Sequence, residues 1–305
     1  MPEELSLRAW QVRLPAAASK TARHLEIAAG AALAGGRAAL AHYASDELVV
    51  RDKNAAGTPV AGPKAENPVT LADHASNDAI LEFLRSRSAY PVLSEESSRP
   101  SDIYPGARLW VVDPLDGTKE FIARNGEFSV MVGLAEHEGS VLGAVYQPAV
   151  DRLYLGLAAG GAWVVDAPLC NGVAAPLHLT GVTAQPLRFI RSRSHPDPAL
   201  TELESRIGPV EVVISGSVGI KCARIARGEA DLYVHPVPYL KEWDTCAPEA
   251  VLRGAGGRVT DCAGAPLRYG KPDAVQKHGI FCGSPDVHER VGPIVRQVAR
   301  GLFSC

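Results

Sequence analysis

The sequence predicts a layered α/β protein in two lobes, an N-terminal α+β lobe over residues 1–185 and a C-terminal α/β lobe over 186–305, with a cleft between them. Three observations carry that prediction. From Phe128 to Val165 four β-rich segments are separated by short turns, the pattern of an antiparallel meander. Beyond residue 186, short apolar runs alternate with helix-length stretches, the rhythm of helices covering a sheet. A chain of 305 residues, 46% hydrophobic and 21% charged, suffices for one large domain or two smaller ones sharing a cleft.

In chain order, Ser19 caps an Ala- and Leu-rich helix running to about Tyr43, where Gly30, Gly35 and Gly36 either weaken the helix or let it pack closely. A Gly/Pro-rich loop over residues 52–68 leads to a second helix, Thr70 to Arg85. PVLS (91–94) and RLWVVD (108–113) are short strands. FSVMVGLAEHEGSVLGAVYQPA reads as two strands around Glu138-Gly139, and DRLYLGLAAGGAWVV as two more. A loop over 171–186 follows. Then LRFIRS, PVEVVIS, ADLYVHP and GRVTD read as strands. DPALTELESRIG, SVGIKCARIARG, a segment after Asp244 and a closing segment from about Pro285 read as helices. There is no internal repeat or low-complexity tail.

Composition narrows the function. With 31 Lys+Arg against 34 Asp+Glu, the net charge of -3 gives no overall basic field, so no nucleic-acid polymer is expected as partner and any phosphate handling must be local. No apolar run approaches the roughly 18 residues of a membrane helix. The first 20 residues lack a basic segment followed by an apolar one, so no secretory signal is expected. A cytoplasmic location follows, with peripheral association to an inner membrane left open; the sequence is silent on oligomeric state. The cysteines at 170, 222, 246, 262, 282 and 305 show no CxxC or zinc-type spacing and read as reduced thiols, mostly small core residues.

The chemistry concentrates in WVVDPLDGTKEF (110–121). Asp113 stands where its strand ends, because Pro114 removes a backbone donor and the chain must leave the sheet. Leu115 to Thr118 then make a tight turn into a helical start, with Gly117 tolerating a conformation that a side chain would oppose. Asp113 and Asp116 are thus aimed at one space. At about 5 Å and an effective dielectric near 20, such charges repel by about 3 kcal/mol unless protons or cations intervene. Paired hard oxygens on rigid elements suit Mg²⁺, and the amides of Gly117 and Thr118 suit an anion. Taken alone, Asp116 could be a helix cap and Asp113 a strand end. Glu95-Glu96, following PVLS, could be a solvated turn. Asp244, preceding a helix opened by Thr245 and Pro248 and seated by Trp243, could be an N-cap. Together they supply carboxylates from three separated segments, as two-metal phosphoesterases do.

These residues resemble a known family, the lithium-sensitive, magnesium-dependent phosphatases that include inositol monophosphatase and the 3′(2′),5′-bisphosphate nucleotidases. The resemblance runs from about residue 20 to the C-terminus and rests on PVTLAD (68–73), LSEES (93–97), WVVDPLDGTKEF and EWDTCAPEAVLRGAGGRVTD (242–261). DGTKEF followed by RNGEFSV, with RSRSHPD (191–197) and the Ser217-to-Lys221 spacing, is similar to the bisphosphate nucleotidase branch, the bacterial CysQ type.

The resemblance implies an αβαβα sandwich and hydrolysis of 3′-phosphoadenosine 5′-phosphate to AMP and phosphate in sulfate assimilation, with the sulfated nucleotide PAPS as a second candidate. It makes Glu95, Asp113, the Leu115 carbonyl, Asp116 and Asp244 the ligands of two or more Mg²⁺ ions. Thr118, paired with Asp73, would activate the attacking water, with Glu95 assisting. Ser192, His195, Ser217 and Lys221 would contact the nucleotide and its second phosphate, beside Glu95, Leu115, Asp116, Gly117, Thr118 and Asp244 around the reacting one. His195 could instead be a surface or capping residue, and Lys221 the exposed face of its helix. The chain departs from the family at Lys64-Ala65-Glu66-Asn67, where Lys-x-Asp-x-Ser is usual, which puts an extra metal site in doubt; it also reads TCAPE after Asp244. The rival readings are an inositol monophosphatase or broad sugar-phosphate phosphatase, and a catalytically silent nucleotide or metal sensor.

Overall fold

Helix, sheet, helix, sheet and helix layers stack in that order in this computed structural model, which describes residues 6–15, 19–44, 50–52, 68–104, 106–181, 185–194 and 198–303. The first layer holds α1 (Ser19–Tyr43) and α2 (Leu71–Arg85), with the short pair β1 (Val50–Asp52) and β2 (Pro68–Thr70) beside them. The seven-stranded sheet follows, built in sequence order from β3 (Val92–Ser94), β4 (Leu109–Asp116), β5 (Ser129–Glu136), β6 (Gly139–Gln147), β7 (Arg152–Leu157), β8 (Gly161–Asp166) and β9 (Ala174–Leu177); the short α3 (Thr118–Ile122) lies between β4 and β5. Only the β3/β4 pair in it is parallel.

The second sheet comprises β10 (Leu187–Ser192), β11 (Val210–Ser215), β12 (Leu232–His235), β13 (Arg258–Thr260) and β14 (Ile280–Gly283), in the order β11-β10-β12-β14-β13. Between the sheets lie α5 (Val218–Ala226) and α6 (Glu242–Gly254). Outside the second sheet lie α4 (Pro198–Ile207) and α7 (Pro285–Phe303). The run LWVV is apolar throughout because both faces of β4 are covered: Trp110 and Val112 join the α1 side, Leu109 and Val111 the α5/α6 side.

A track of glycines fixes the spacing between the seven-stranded sheet and α6. Gly133, Gly143 and Gly156 are register partners across β5, β6 and β7. A Cβ on Gly133 would stand 2.7 Å from Cys246 Sγ, on Gly143 2.4 Å from the Ala247 carbonyl oxygen, and on Gly156 2.4 Å from Val251 Cα. The helix therefore lies directly on the sheet backbone. In α1, Gly35 and Gly36 serve close packing in the same way, against Ile80 of α2 and Tyr146 of β6.

Several boundaries differ from the sequence expectation. β4 does not end at Asp113; it resumes pairing at Asp116↔Ser129 after a register irregularity that accommodates Pro114, so the missing donor bends the strand instead of stopping it. The freed Pro114 carbonyl accepts a hydrogen bond from Ser76 Oγ of α2 at 2.6 Å. The β5/β6 turn is His137-Glu138, both left-handed at φ 51° and 63°, one residue earlier than expected. β9 lies in the expected 171–186 loop, and β14 had no counterpart in the reading of the sequence. α6 starts at Glu242, so Asp244 is inside its first turn and Pro248 inside the helix, where packing on the glycine track outweighs the loss of a helix hydrogen bond. The Ser19 side chain, most of the 52–68 loop with Lys64 to Asn67, His195 and Cys305 lie outside the described residues. Cys222, Cys246, Cys262 and Cys282 are buried free thiols and Cys170 is exposed. No described helix is long and apolar enough to cross a membrane.

Candidate active site

The register of the first sheet begins the site. Ser94 pairs with Val112 in the parallel β3/β4 contact, so the next residues, Glu95 and Asp113, emerge side by side; the Glu95 amide donates to the Val112 carbonyl at 3.2 Å. The irregularity after Asp113 turns the strand so that Asp113 and Asp116 face one space, and Asp113 Oδ1 accepts from the Leu115 amide at 3.0 Å. Gly117, at φ 94°, opens α3; a Cβ there would be left-handed and 3.1 Å from the Glu127 carbonyl oxygen. From the other direction, α6 on its glycine track delivers Asp244, whose Oδ2 accepts from the Lys241 amide at 2.5 Å. Trp243 beside it packs against the core between the sheets, as its position suggested.

One carboxylate oxygen each from Asp113, Asp116 and Asp244 lie within 4.8 Å of one another. Burial pushes the Asp113 carboxyl well above its ordinary range, reinforced by the charges of Glu95, Asp116 and Asp244. Burial does the same to Asp244, helped by Glu95 and Asp116. Asp116 is raised by burial but opposed by the Lys221 ammonium, the Ser217 hydroxyl and the Gly219 amide. Such crowding is unfavourable for bare carboxylates. The all-oxygen donor set fits a hard divalent cation, which would offset the repulsion.

Asp116 is held from the start of α5. Ser217 Oγ donates to its Oδ2 at 2.5 Å and the Gly219 amide at 3.0 Å; the same serine caps α5 by accepting from the Ile220 amide at 3.1 Å. Thr118 Oγ1 donates to Asp73 Oδ1 at 3.1 Å and lies 3.3 Å from the Leu115 carbonyl. The other oxygen of Asp73 accepts from the Thr70 amide (2.8 Å) and hydroxyl (2.7 Å), which starts α2.

These groups surround a cleft of about 540 Å³. Of the residues expected at the site, Glu95, Asp113, Leu115, Asp116, Gly117, Thr118, Ser192, Ser217, Lys221 and Asp244 line it; Asp73 stands behind Thr118. Lys221 is not the exposed face of α5: it is 3% exposed, with Nζ 5.2 Å from the centre of the Tyr233 ring. Burial lowers its pKa, against the pull of Asp116.

Two residues that link the walls of the cleft escaped the reading of the sequence. Glu120, buried in α3, accepts from Ser194 Oγ at 2.5 Å. Glu127 accepts through Oε2 from Arg193 Nε at 2.9 Å and from the Gly216 amide at 2.8 Å. Both tie the segment between β4 and β5 to the loops that follow β10 and β11. The only sequence signal was their place in TKEF and RNGEF, segments that marked a family branch without revealing a contact.

Fold and site together define a class. The inositol monophosphatase family matches residues 21–300, and the chain belongs to it. Within known proteins the chain is similar to the 3′(2′),5′-bisphosphate nucleotidase CysQ of Escherichia coli (strain K12), 40% identical over 209 residues that cover 68% of this chain and 81% of that one. It is similar to the CysQ nucleotidase of Salmonella typhimurium at 38% over 232 residues, 75% of this chain and 91% of the other. Among solved structures, CysQ from Bacteroides thetaiotaomicron, a bacterial member of the inositol monophosphatase family, superposes with a TM-score of 0.69 at 32% identity, covering 86% of this chain and 97% of that one.

Proposed function

We infer that the protein is a Mg²⁺-dependent 3′(2′),5′-bisphosphate nucleotidase that hydrolyses 3′-phosphoadenosine 5′-phosphate, and as a second substrate PAPS, in the sulfate assimilation of the cytoplasm. The observation that carries the hydrolytic part is the carboxylate trio of Asp113, Asp116 and Asp244 within 4.8 Å, with Thr118 two residues beyond Asp116 hydrogen-bonded to Asp73 of α2. The nucleotide part rests on the similarity to the CysQ nucleotidases and on the buried cation of Lys221 in the same cleft.

Glu95, Asp113, the Leu115 carbonyl, Asp116 and Asp244 would hold two or more Mg²⁺ ions. When bound, these supply charge neutralisation at the phosphoryl oxygens and make hydroxide accessible near neutral pH. Thr118, its proton directed to Asp73, keeps an Oγ lone pair for the attacking water; as that water loses its proton to Thr118, the threonine proton passes to Asp73. Asp73 cannot swing away, because its second oxygen holds the start of α2. The water oxygen bonds to phosphorus, the bond to the ribose 3′ oxygen breaks, the released alkoxide takes a proton from solvent water, and Asp73 returns its proton to solvent. Glu95 is the second carboxylate able to hold a proton on this wall. The amides of Gly117 and Thr118 would be the donors for the phosphoryl oxygens. Ser192, Ser217 and Lys221, with His195 in the segment beyond Ser194, receive the nucleoside and its other phosphate. In this reading residues 1–185 contribute the catalytic pair and most metal ligands, and 186–305 contribute Asp244 and the nucleotide wall.

The test is parallel turnover of 3′-phosphoadenosine 5′-phosphate, PAPS and inositol 1-phosphate with Mg²⁺. The adenosine compounds should give the highest kcat/KM. Faster phosphate release from the inositol ester would overturn the substrate assignment.

A further inference from the structure

The glycine track supports α6 from Cys246 onward, and the turn before it, which carries Asp244, rests instead on the loop 268–276. The Glu242 amide donates to the Ala274 carbonyl at 2.8 Å, the Gln276 amide donates to the Leu240 carbonyl at 2.9 Å, and Lys241 forms an antiparallel bridge with Val275. Glu242, fully buried, adds its side chain to this contact: Oε2 accepts from the Gly270 amide at 2.7 Å and Oε1 from the Lys271 amide at 2.8 Å. Thr245 Oγ1, one residue beyond Asp244, accepts from Gln276 Nε2 at 3.2 Å.

The segment of Glu95 is tied to the same loop. Toward α2, Ser94 Oγ donates to Asn77 Oδ1 at 2.7 Å, and Asn77 Nδ2 donates to Ser97 Oγ at 3.3 Å. Toward α6, Arg99 Nη2 donates to the Gly270 carbonyl at 3.2 Å. Gly270 therefore gives its amide to Glu242 and its carbonyl to Arg99, at a φ of 80° that a side chain would disfavour. Glu95 lies between two anchors, and one of them is shared with the turn of Asp244. Arg99, Glu242 and Gly270 stand behind the cleft and do not line it. Glu242 thus gives up its hydration without meeting a substrate. Burying a charge is a poor route to stability, so the placement it enforces is the better account of it.

We propose, on the reading of the acidic wall as a Mg²⁺ site, that Arg99 and Glu242 are positioning residues: joined through Gly270, they fix Glu95 and Asp244 at the separation the cation requires. Their opposite charges separate placement from plain electrostatics. Loss of the Glu242 charge weakens cation binding on either account. Loss of the Arg99 charge strengthens binding if only the field matters, because one cation repels another, and weakens it if Arg99 holds the geometry.

Calorimetric titration of the full chain with Mg²⁺, without substrate, tests this, with circular dichroism and melting temperature recorded for each variant. Arg99→Met and Glu242→Gln should each raise the Mg²⁺ Kd about tenfold or more, the scale on which removing the support of a metal ligand acts. Arg99→Lys, which keeps the charge and a donor for the Gly270 carbonyl, should recover most of the loss. The double variant of Arg99→Met with Glu242→Gln should be little worse than either single one, because both break the same chain at Gly270. Unchanged or tighter Mg²⁺ binding in Arg99→Met, even in a variant that melts lower, or losses that simply add in the double variant, would overturn the positioning role and leave the Mg²⁺ reading intact. A wild-type chain that takes up no Mg²⁺ would overturn both.

Discussion

On the acidic wall of the cleft, Asp113, Asp116 and Asp244 come from β4 and from a helix lying on the same sheet; on the opposite wall, Ser192, Ser217 and Lys221 belong to the second sheet and α5. The first wall is set by backbone contact, α6 resting on Gly133, Gly143 and Gly156 with no side-chain layer between. In the second, α5 packs through Gly219 against the side chains of Met131, Ser129 and Val145, while the loops carrying Arg193, Ser194 and Gly216 are registered to the first wall through hydrogen bonds accepted by Glu120 and Glu127. Close-packed backbone tolerates almost no displacement, whereas hydrogen bonds to charged groups contribute about 1.5–3 kcal/mol apiece and can be re-formed around a different ligand. The difference makes the acidic wall the rigid one and the loops of the opposite wall the adjustable part.

That contrast can be broken first at Asp113. Asp113→Asn should cut turnover roughly 10³-fold, the several kcal/mol expected when a metal ligand is lost. In metal-free buffer the variant should melt no lower than wild type, because one repelling charge is gone while an oxygen remains for the Leu115 amide. A fall of many degrees would mean that the trio stabilises the fold instead of straining it. Thr118→Ala should lower kcat about 10²-fold with little change in KM, the usual scale for a proton-transfer group; Mg²⁺ should still raise the melting temperature, as any ligand of the native state does. Unchanged kcat would remove the Thr118/Asp73 pair from the mechanism.

Gly143→Ala probes the sheet beneath α6. The added methyl meets the Ala247 backbone at 2.4 Å, so a loss of about 2 kcal/mol in denaturant unfolding is expected, the range for overpacking. Calorimetry should also show weaker Mg²⁺ binding, since Asp244 rides on the displaced helix; equal Mg²⁺ affinity would confine the track to folding. The smallest effect is expected on the adjustable wall. Glu120→Gln keeps a hydrogen-bonding group for Ser194 but loses its charge, and should raise KM for 3′-phosphoadenosine 5′-phosphate by about tenfold, some 1.4 kcal/mol. An equal effect on kcat alone would place Glu120 with the chemistry.

The acidic wall was legible because its information is local. Asp113, Asp116, Gly117 and Thr118 lie within six residues, and Glu95 and Asp113 each follow a short apolar run, although the parallel register that sets them side by side came from the structure. The errors there came from treating Pro114 as a stop when a bulge could absorb it, and from starting α6 after Asp244 when the sheet beneath it supports the helix from Glu242. The opposite wall was not legible in the same way. Glu120 finds Ser194 and Glu127 finds Arg193 and Gly216 across 74, 66 and 89 residues of chain, and no local period encodes such pairs. β9 and β14 were missed for a similar reason: each is four residues long and its identity as a strand comes from the neighbour it joins.

Asp73 divides its two oxygens between unrelated duties, one steadying the Thr118 hydroxyl and the other closing the first turn of α2. A rotation that served one duty better would abandon the other. Evolution therefore has little freedom to retune this carboxylate independently of the scaffold, and a designer wishing to shift it would first have to supply α2 with a new beginning.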